Sequence, residues 1–317
     1  MEPRLRENIE EWAVATQKRR DTERSLWYWN ASMAALHGAQ AIAVLVASQT
    51  VPAIKKYTVS LTTNMPSWAL GYPVSAVQQR GSLPFAATAS GFAFMSAAAH
   101  LIVLANFSNY IENLRKGINP YRWWEYAASS SLMIILIAML FGIYDIVSLM
   151  LIVCLNASMN FFGLLHERFN HGKLPDEVNW EPFAFGCFVG AAPWAAIFTY
   201  IAALPDLGKV PGFVWGILFA YAIFFNCFAV NMYLQYKRIG WWSDEYGGYA
   251  GSGYLMGEKM YQILSLVAKS FLLWLVLGGC VTTPRCRLER ARNHVPDHFP
   301  APQDEPALLV VSLNKNV

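Results

Sequence analysis

Charge is what this chain has least of. Asp, Glu, Lys and Arg supply 14% of its 317 residues, where a soluble domain carries about 25%. With 55% hydrophobic and 15% aromatic residues, the chain reads as a polytopic membrane protein rather than a water-soluble enzyme. The net charge of +3 is small; its distribution matters more than its sum, and it points to no nucleic-acid partner. Cysteine is sparse and unpatterned. None of the five has metal-ligand spacing; Cys154, Cys187 and Cys227 sit in apolar runs and read as small buried hydrophobes. Cys280 and Cys286 can pair only if both face an oxidising compartment. No cleavable signal peptide is visible, so the first apolar run is a true span. No internal repeat is present either, which argues against the inverted-repeat transporter plan.

What the chain has instead is seven long apolar runs. Crossing a ~30 Å hydrocarbon core takes about 20 helical residues, and the runs near 25–48, 84–108, 120–142, 145–165, 182–203, 211–235 and 259–281 are long enough. The fold class expected is therefore all-α, a seven-transmembrane-helix bundle. The connections at 143–144 and 204–210 are short and force antiparallel neighbours. The loop at 49–83 is longer; its Val, Tyr, Thr and Ser content, punctuated by Pro and Gly, predicts a short β-hairpin. Residues 1–24 form a charged, somewhat amphipathic N-terminal segment, 25–281 the helical domain, and the Pro-rich 282–317 a poorly ordered tail. Lys and Arg near the span ends set orientation. Lys18, Arg19, Arg20, Arg24, Arg115, Lys116, Arg122, Arg168, Lys173, Lys237, Arg238 and Lys259 fall on the N-terminal side, against Lys55, Lys56, Arg80 and Lys209 opposite. The N-terminus is thus expected in the cytoplasm and the C-terminus outside, with Arg285, Arg287, Arg290 and Arg292 of the tail dissenting.

In the seventh run a lysine, Lys269, lies near the middle of an otherwise apolar stretch. A cation at mid-bilayer costs roughly 2.5–3.5 kcal/mol on insertion scales. Gln262, Ser265 and Lys269 share one helical face. Two readings stand: a reactive amine able to condense with an aldehyde, and a structural interhelical ion pair. The polar groups of other spans fall on single faces too: Asn30, His37 and Gln40 in the first, Ser96 and His100 in the second, Arg122, Glu125 and Ser129 in the third. Glu125 is the carboxylate best placed to balance Lys269. Two histidines and a glutamate on three helices also permit zinc, as in a membrane metallohydrolase. Against that stand the missing His-x-x-x-His spacing and the added positive charge of Arg122 and Lys269.

The motifs Arg122-Trp-Trp-Glu125-Tyr126 with Ser129-Ser130-Ser131, Asn156-Ala-Ser-Met159, Pro193-Trp194, Pro211-Gly-Phe-Val, Phe224-Phe225-Asn226 and Ser265-Leu-Val-Ala-Lys269-Ser270 resemble those of the heliorhodopsins, in order over about residues 25–275. The resemblance implies a retinal-binding photoreceptor without enzymatic activity, inverted in the membrane relative to other microbial rhodopsins, dimeric, and carrying a β-hairpin in its first extracellular loop. It implies all-trans retinal on Lys269 as a Schiff base, Glu125 as counterion, and Ser96 and Ser265 as its polar neighbours. His37, Gln40, His100, Arg122 and Tyr126 match a hydrated polar cluster, and Ser130, Asn156, Met159 and Phe225 match chromophore-pocket positions. No metal is implied. Ala184 stands where some members carry a large aromatic, and the longer N-terminal segment, the 246–254 insertion and the tail depart from the family pattern.

Outward proton pumps of the wider rhodopsin group keep a second carboxylate three turns beyond the counterion. Here that position is Leu136, between Ile135 and Ile137, and residues 211–235 hold no acidic or basic side chain. A photosensor acting on a cytoplasmic partner is the first expectation. A light-gated proton or cation channel lined by Asn30, His37, Gln40, Ser96 and His100 is the second, and the zinc hydrolase the third.

Overall fold

The computed structural model describes residues 3–68 and 71–282. Seven helices are long and apolar enough to span a membrane: α1 (Pro3–Thr50), α3 (Phe85–Ala105), α5 (Pro120–Leu140), α6 (Ile146–Phe169), α7 (Glu181–Ala202), α8 (Gly212–Lys237) and α10 (Ser252–Thr282). Between them lie the short helices α2 (Pro52–Lys55), α4 (Phe107–Arg115) and α9 (Asp244–Gly247). Helix starts carry their chemical signals. Asn119 precedes Pro120 and its side chain accepts from Arg122 N–H at 3.2 Å. Asp145 caps α6 by accepting from Ser148 N–H at 2.8 Å. Proline at the first helical positions leaves no donor wasted, because those N–H groups have no partner within the helix.

The expected hairpin is present as β1 (Thr58–Ser67) and β2 (Val74–Pro84), antiparallel from Thr58↔Pro84 to Ser67↔Val74 with an irregularity at Leu61/Thr62. It is tied to the turn between α5 and α6: Thr62 N–H donates to Tyr144 O at 2.9 Å, and Asn64 N–H to Asp145 Oδ1 at 3.2 Å. Inside the bundle, the half nearest the hairpin is filled by apolar side chains, with Phe92, Ile134, Leu136, Ile137, Ile197 and Leu273 almost wholly buried. The opposite half, nearest the N-terminus, is built differently. There, Tyr110, Trp123, Tyr126 and Tyr261 pack around buried polar and charged groups.

Several expectations change in detail. The N-terminal segment is not separate from the first span; from Pro3 it is one helix with it. The last helix begins at Ser252, two turns before the expected 259, and Asp244, at the start of α9, caps it. Gly253 N–H donates to Asp244 Oδ1 at 3.0 Å, and Trp242 Nε1–H to Asn231 Oδ1 at 2.8 Å. Cys154 and Cys187 are exposed and Cys227 half-buried, not core residues. Lipid is as apolar as a core, so hydropathy cannot tell an outward-facing cysteine from an inward one. Cys286 and the expected disordered tail lie outside the described residues, apart from the tail's first residue, Thr282, which ends α10.

Candidate functional site

Lys269, from the middle of α10, is 3% exposed. Its Nζ donates to Glu125 Oε1 on α5 at 2.8 Å and to Ser265 Oγ, one turn earlier, at 2.7 Å. Ser96 on α3 donates to the same Glu125 oxygen at 2.7 Å. The Tyr126 ring lies 5.2 Å from the amine. The lysine and carboxylate singled out by their scarcity thus form one buried ion pair, held by two hydroxyls. Removing either member would strand the other's charge in a medium that solvates it poorly.

On the N-terminal side of this pair lies a small cavity whose walls include Glu125, Ser265, Asn30, His100, Gln262 and Arg122. His100 Nδ1 is 2.8 Å from Asn30 Oδ1. His37 stacks on His100, ring centroids 5.9 Å apart and planes 12° from parallel. Gln40 does not reach this cavity; it accepts from Trp274 Nε1–H at 3.1 Å. With 3.6 residues per turn, position 40 is rotated about 60° from position 37, which carries it to the α10 side of the stripe. Arg122, expected to accompany Glu125, is instead claimed by two carboxylates, Glu167 at the end of α6 and Glu258 near the start of α10. Sequence reasoning missed both. Glu258 carried a signal, since Glu258, Gln262, Ser265 and Lys269 lie at i, i+4, i+7 and i+11 on one face. Glu167 carried none.

A second space, a cleft between α5, α6, α7, α8 and α10, also reaches the lysine. Ser130, Met133, Met159, Tyr221 and Phe225 are among its walls, together with Ser265 and Lys269. Asn156 stands behind that wall, donating to Ser130 Oγ at 2.7 Å and Ser131 Oγ at 3.1 Å. Ala184 is exposed on the outside of the bundle and does not shape the cleft. Gly163 and Gly190 do: a Cβ on the first would lie 2.2 Å from the Trp123 ring, and on the second 2.5 Å from Met159 Sδ. Among the described residues, no three His, Cys, Asp or Glu side chains converge as metal ligands.

A cleft lined mostly by apolar side chains, with one primary amine in its wall and that amine balanced by one carboxylate, fits an apolar aldehyde. Seven spanning helices around such a site define a rhodopsin-type integral membrane protein. The chain belongs to the heliorhodopsin family, whose model matches residues 26–281. That membership makes it a retinal-binding, light-sensing rhodopsin of the photoreceptor type. No curated protein matches the chain.

Proposed function

We propose that the protein is a light sensor in which all-trans retinal is held on Lys269, Glu125 is the compensating carboxylate, and the response is passed to a partner on the cytoplasmic, N-terminal side. A homodimer is the expected assembly. Joined to the Lys269 amine, retinal supplies absorption of visible light and an isomerisation that changes its shape. The chain's own residues do the rest. Ser130, Met133, Met159 and Phe225 would hold the apolar part, and Asn156 orients Ser130. Ser96 fixes Glu125, and Ser265 fixes the nitrogen, so the two charges start 2.8 Å apart. Doubling that separation halves their Coulomb attraction. The under-compensated carboxylate then acts on the groups that share its cavity, Asn30, His100, Tyr110 and Gln262. Those belong to α1, α3, α4 and α10, and so carry the change to the N-terminal end.

The observation that favours a sensor over a transporter is the one-sidedness of the polar cavity. The cavity lies only on the N-terminal side of Lys269, and Leu136, three turns beyond Glu125, is 1% exposed within the apolar half. A transported ion needs a wetted path on both sides of the site. Photocurrent under voltage clamp tests this. No light-driven current is expected at any holding potential. A current that reverses with voltage would replace the sensor with a light-gated conductance.

A further inference from the structure

We propose that the lipid-facing side of α1 carries a binding site for an anionic phospholipid, in which Arg20 and Arg24 hold the headgroup phosphate and Trp27 and Tyr28 seat the lipid below it. All four residues are exposed, Trp27 by 43% and Tyr28 by 70%. The bundle side of α1 is marked by Leu26, Asn30, His37, Ala41 and Val44, each at most 1% exposed. At about 100° per residue, the four site residues point on average about 120° away from that side. Their spacing of i, i+4, i+7 and i+8 makes them neighbours in one patch. Their height also fits. Between Arg24 and Lys55 the chain has no Asp, Glu, Lys or Arg. From Trp27 to Thr50 the helix rises roughly 35 Å, enough to cross a ~30 Å hydrocarbon core. Trp and Tyr at the start of such a stretch belong at headgroup level. Arg24 then stands about 5 Å above Trp27 and Arg20 about 10 Å above it. The headgroup layer is about 5–7 Å deep, which places Arg24 within it and Arg20 at its rim.

A second observation points the same way: the protein itself supplies these two cations with no anion. The neighbouring acids are taken. Glu23 accepts from Arg115 Nε–H at 2.8 Å and from its Nη2–H at 2.7 Å, with Arg19 at 3.7 Å. Asp21 accepts from Gln17 Nε2–H at 3.0 Å. Among the described residues, neither Arg20 nor Arg24 has an ion-pair partner. Like charges one turn apart destabilise an exposed helix, and an anion placed between them offsets that repulsion. A guanidinium grips a phosphate through two parallel N–H···O bonds, so two arginines one turn apart suit the two free oxygens of a phosphodiester. A lipid with net negative charge is preferred, because in a zwitterionic one the headgroup's own cation already compensates the phosphate.

Native mass spectrometry of the full chain tests the site, with phosphatidylglycerol or phosphatidylcholine of equal chain length titrated into the micelles. Phosphatidylglycerol should bind the more tightly. Arg20→Gln/Arg24→Gln should weaken it by roughly thirtyfold, about fivefold for each arginine at the membrane surface, and should leave phosphatidylcholine as it was. Trp27→Ala/Tyr28→Ala should weaken phosphatidylglycerol as well. Arg168→Gln/Lys173→Gln removes the same charge on the same side of the bundle, at the end of α6, and should change neither lipid. Equal binding of the two lipids overturns the proposal, as does undiminished binding in either site variant. A loss in Arg168→Gln/Lys173→Gln as large as in the arginine variant also overturns it, since the attraction would then belong to the basic surface at large. Free glycerol phosphate should not displace the lipid; displacement would overturn the lipid assignment in favour of a soluble phosphate.

Discussion

The pair at the centre of the site makes a prediction that needs no chromophore. In Lys269→Met the Glu125 carboxylate, whose side chain is 8% exposed, loses its 2.8 Å partner and keeps the Ser96 hydroxyl. Removing one member of a buried ion pair costs about 3–5 kcal/mol. For a folding unit of this size each kcal/mol moves Tm by about 2–4 °C, so a drop of roughly 6–20 °C is expected. The double variant Lys269→Met/Glu125→Gln should recover most of it, since neither position then carries a charge and the amide oxygen still accepts from Ser96. A double-mutant cycle on retinal-free protein, read by thermal unfolding in detergent, should return a coupling of about 3 kcal/mol. If the double variant falls as far as the two singles added together, the pair is not coupled and the reasoning fails.

Lys269→Ala, given all-trans retinal, should develop no visible absorption band, while the unmodified protein does; a band in the variant would remove the amine from its assigned role. Gly163→Leu should drive Trp123 toward the cleft, because even a Cβ would sit 2.2 Å from its ring; the amount of retinal bound at saturation should fall at least severalfold, and unchanged loading would show that the cleft ends elsewhere. Asp145→Ala should cost about 1 kcal/mol by removing the cap of α6, and exchange of the Asn64 amide should quicken. Ser148 N–H, helped by its hydroxyl and by Asn64 N–H, holds the Asp145 carboxyl below the usual carboxylate range. Its stabilisation is therefore present above the unfolded value of about 3.9 and lost as pH falls through the lower folded value. The difference from the unmodified protein should shrink in acid.

The spans and the hairpin were legible because each rests on a local pattern: uninterrupted apolar length for the helices, and Val, Thr and Tyr between Gly and Pro for the strands. Lys269 and Glu125 were legible for the opposite reason, as charges where charge is costly. Glu167 was not, and Glu258 showed only in sharing the helical face of Lys269. Both lie where hydropathy falls off, so they read as helix ends in water. What buries them is tertiary: Tyr254 of α10 reaches Glu167, and Asn119 at the start of α5 reaches both. The same limit explains Gln40. Its place on a polar face was correct to within 60°, and that remainder chose Trp274 over the cavity.

The hairpin's attachment to the α5–α6 turn has a consequence for assembly. Thr62 and Tyr144 are bonded across a stretch of chain that contains α3, α4 and α5. The bond cannot form until those helices have been synthesised and inserted, so the hairpin, although early in the chain, docks late. Contacts of such wide sequence separation are slow to close and are rewarded only after the intervening chain is ordered. Until then the strands are a two-stranded ribbon, which is marginal by itself. A nascent chain arrested just after Leu140 should therefore show rapid amide exchange at Thr62 and Asn64, and one extended past α6 should protect both.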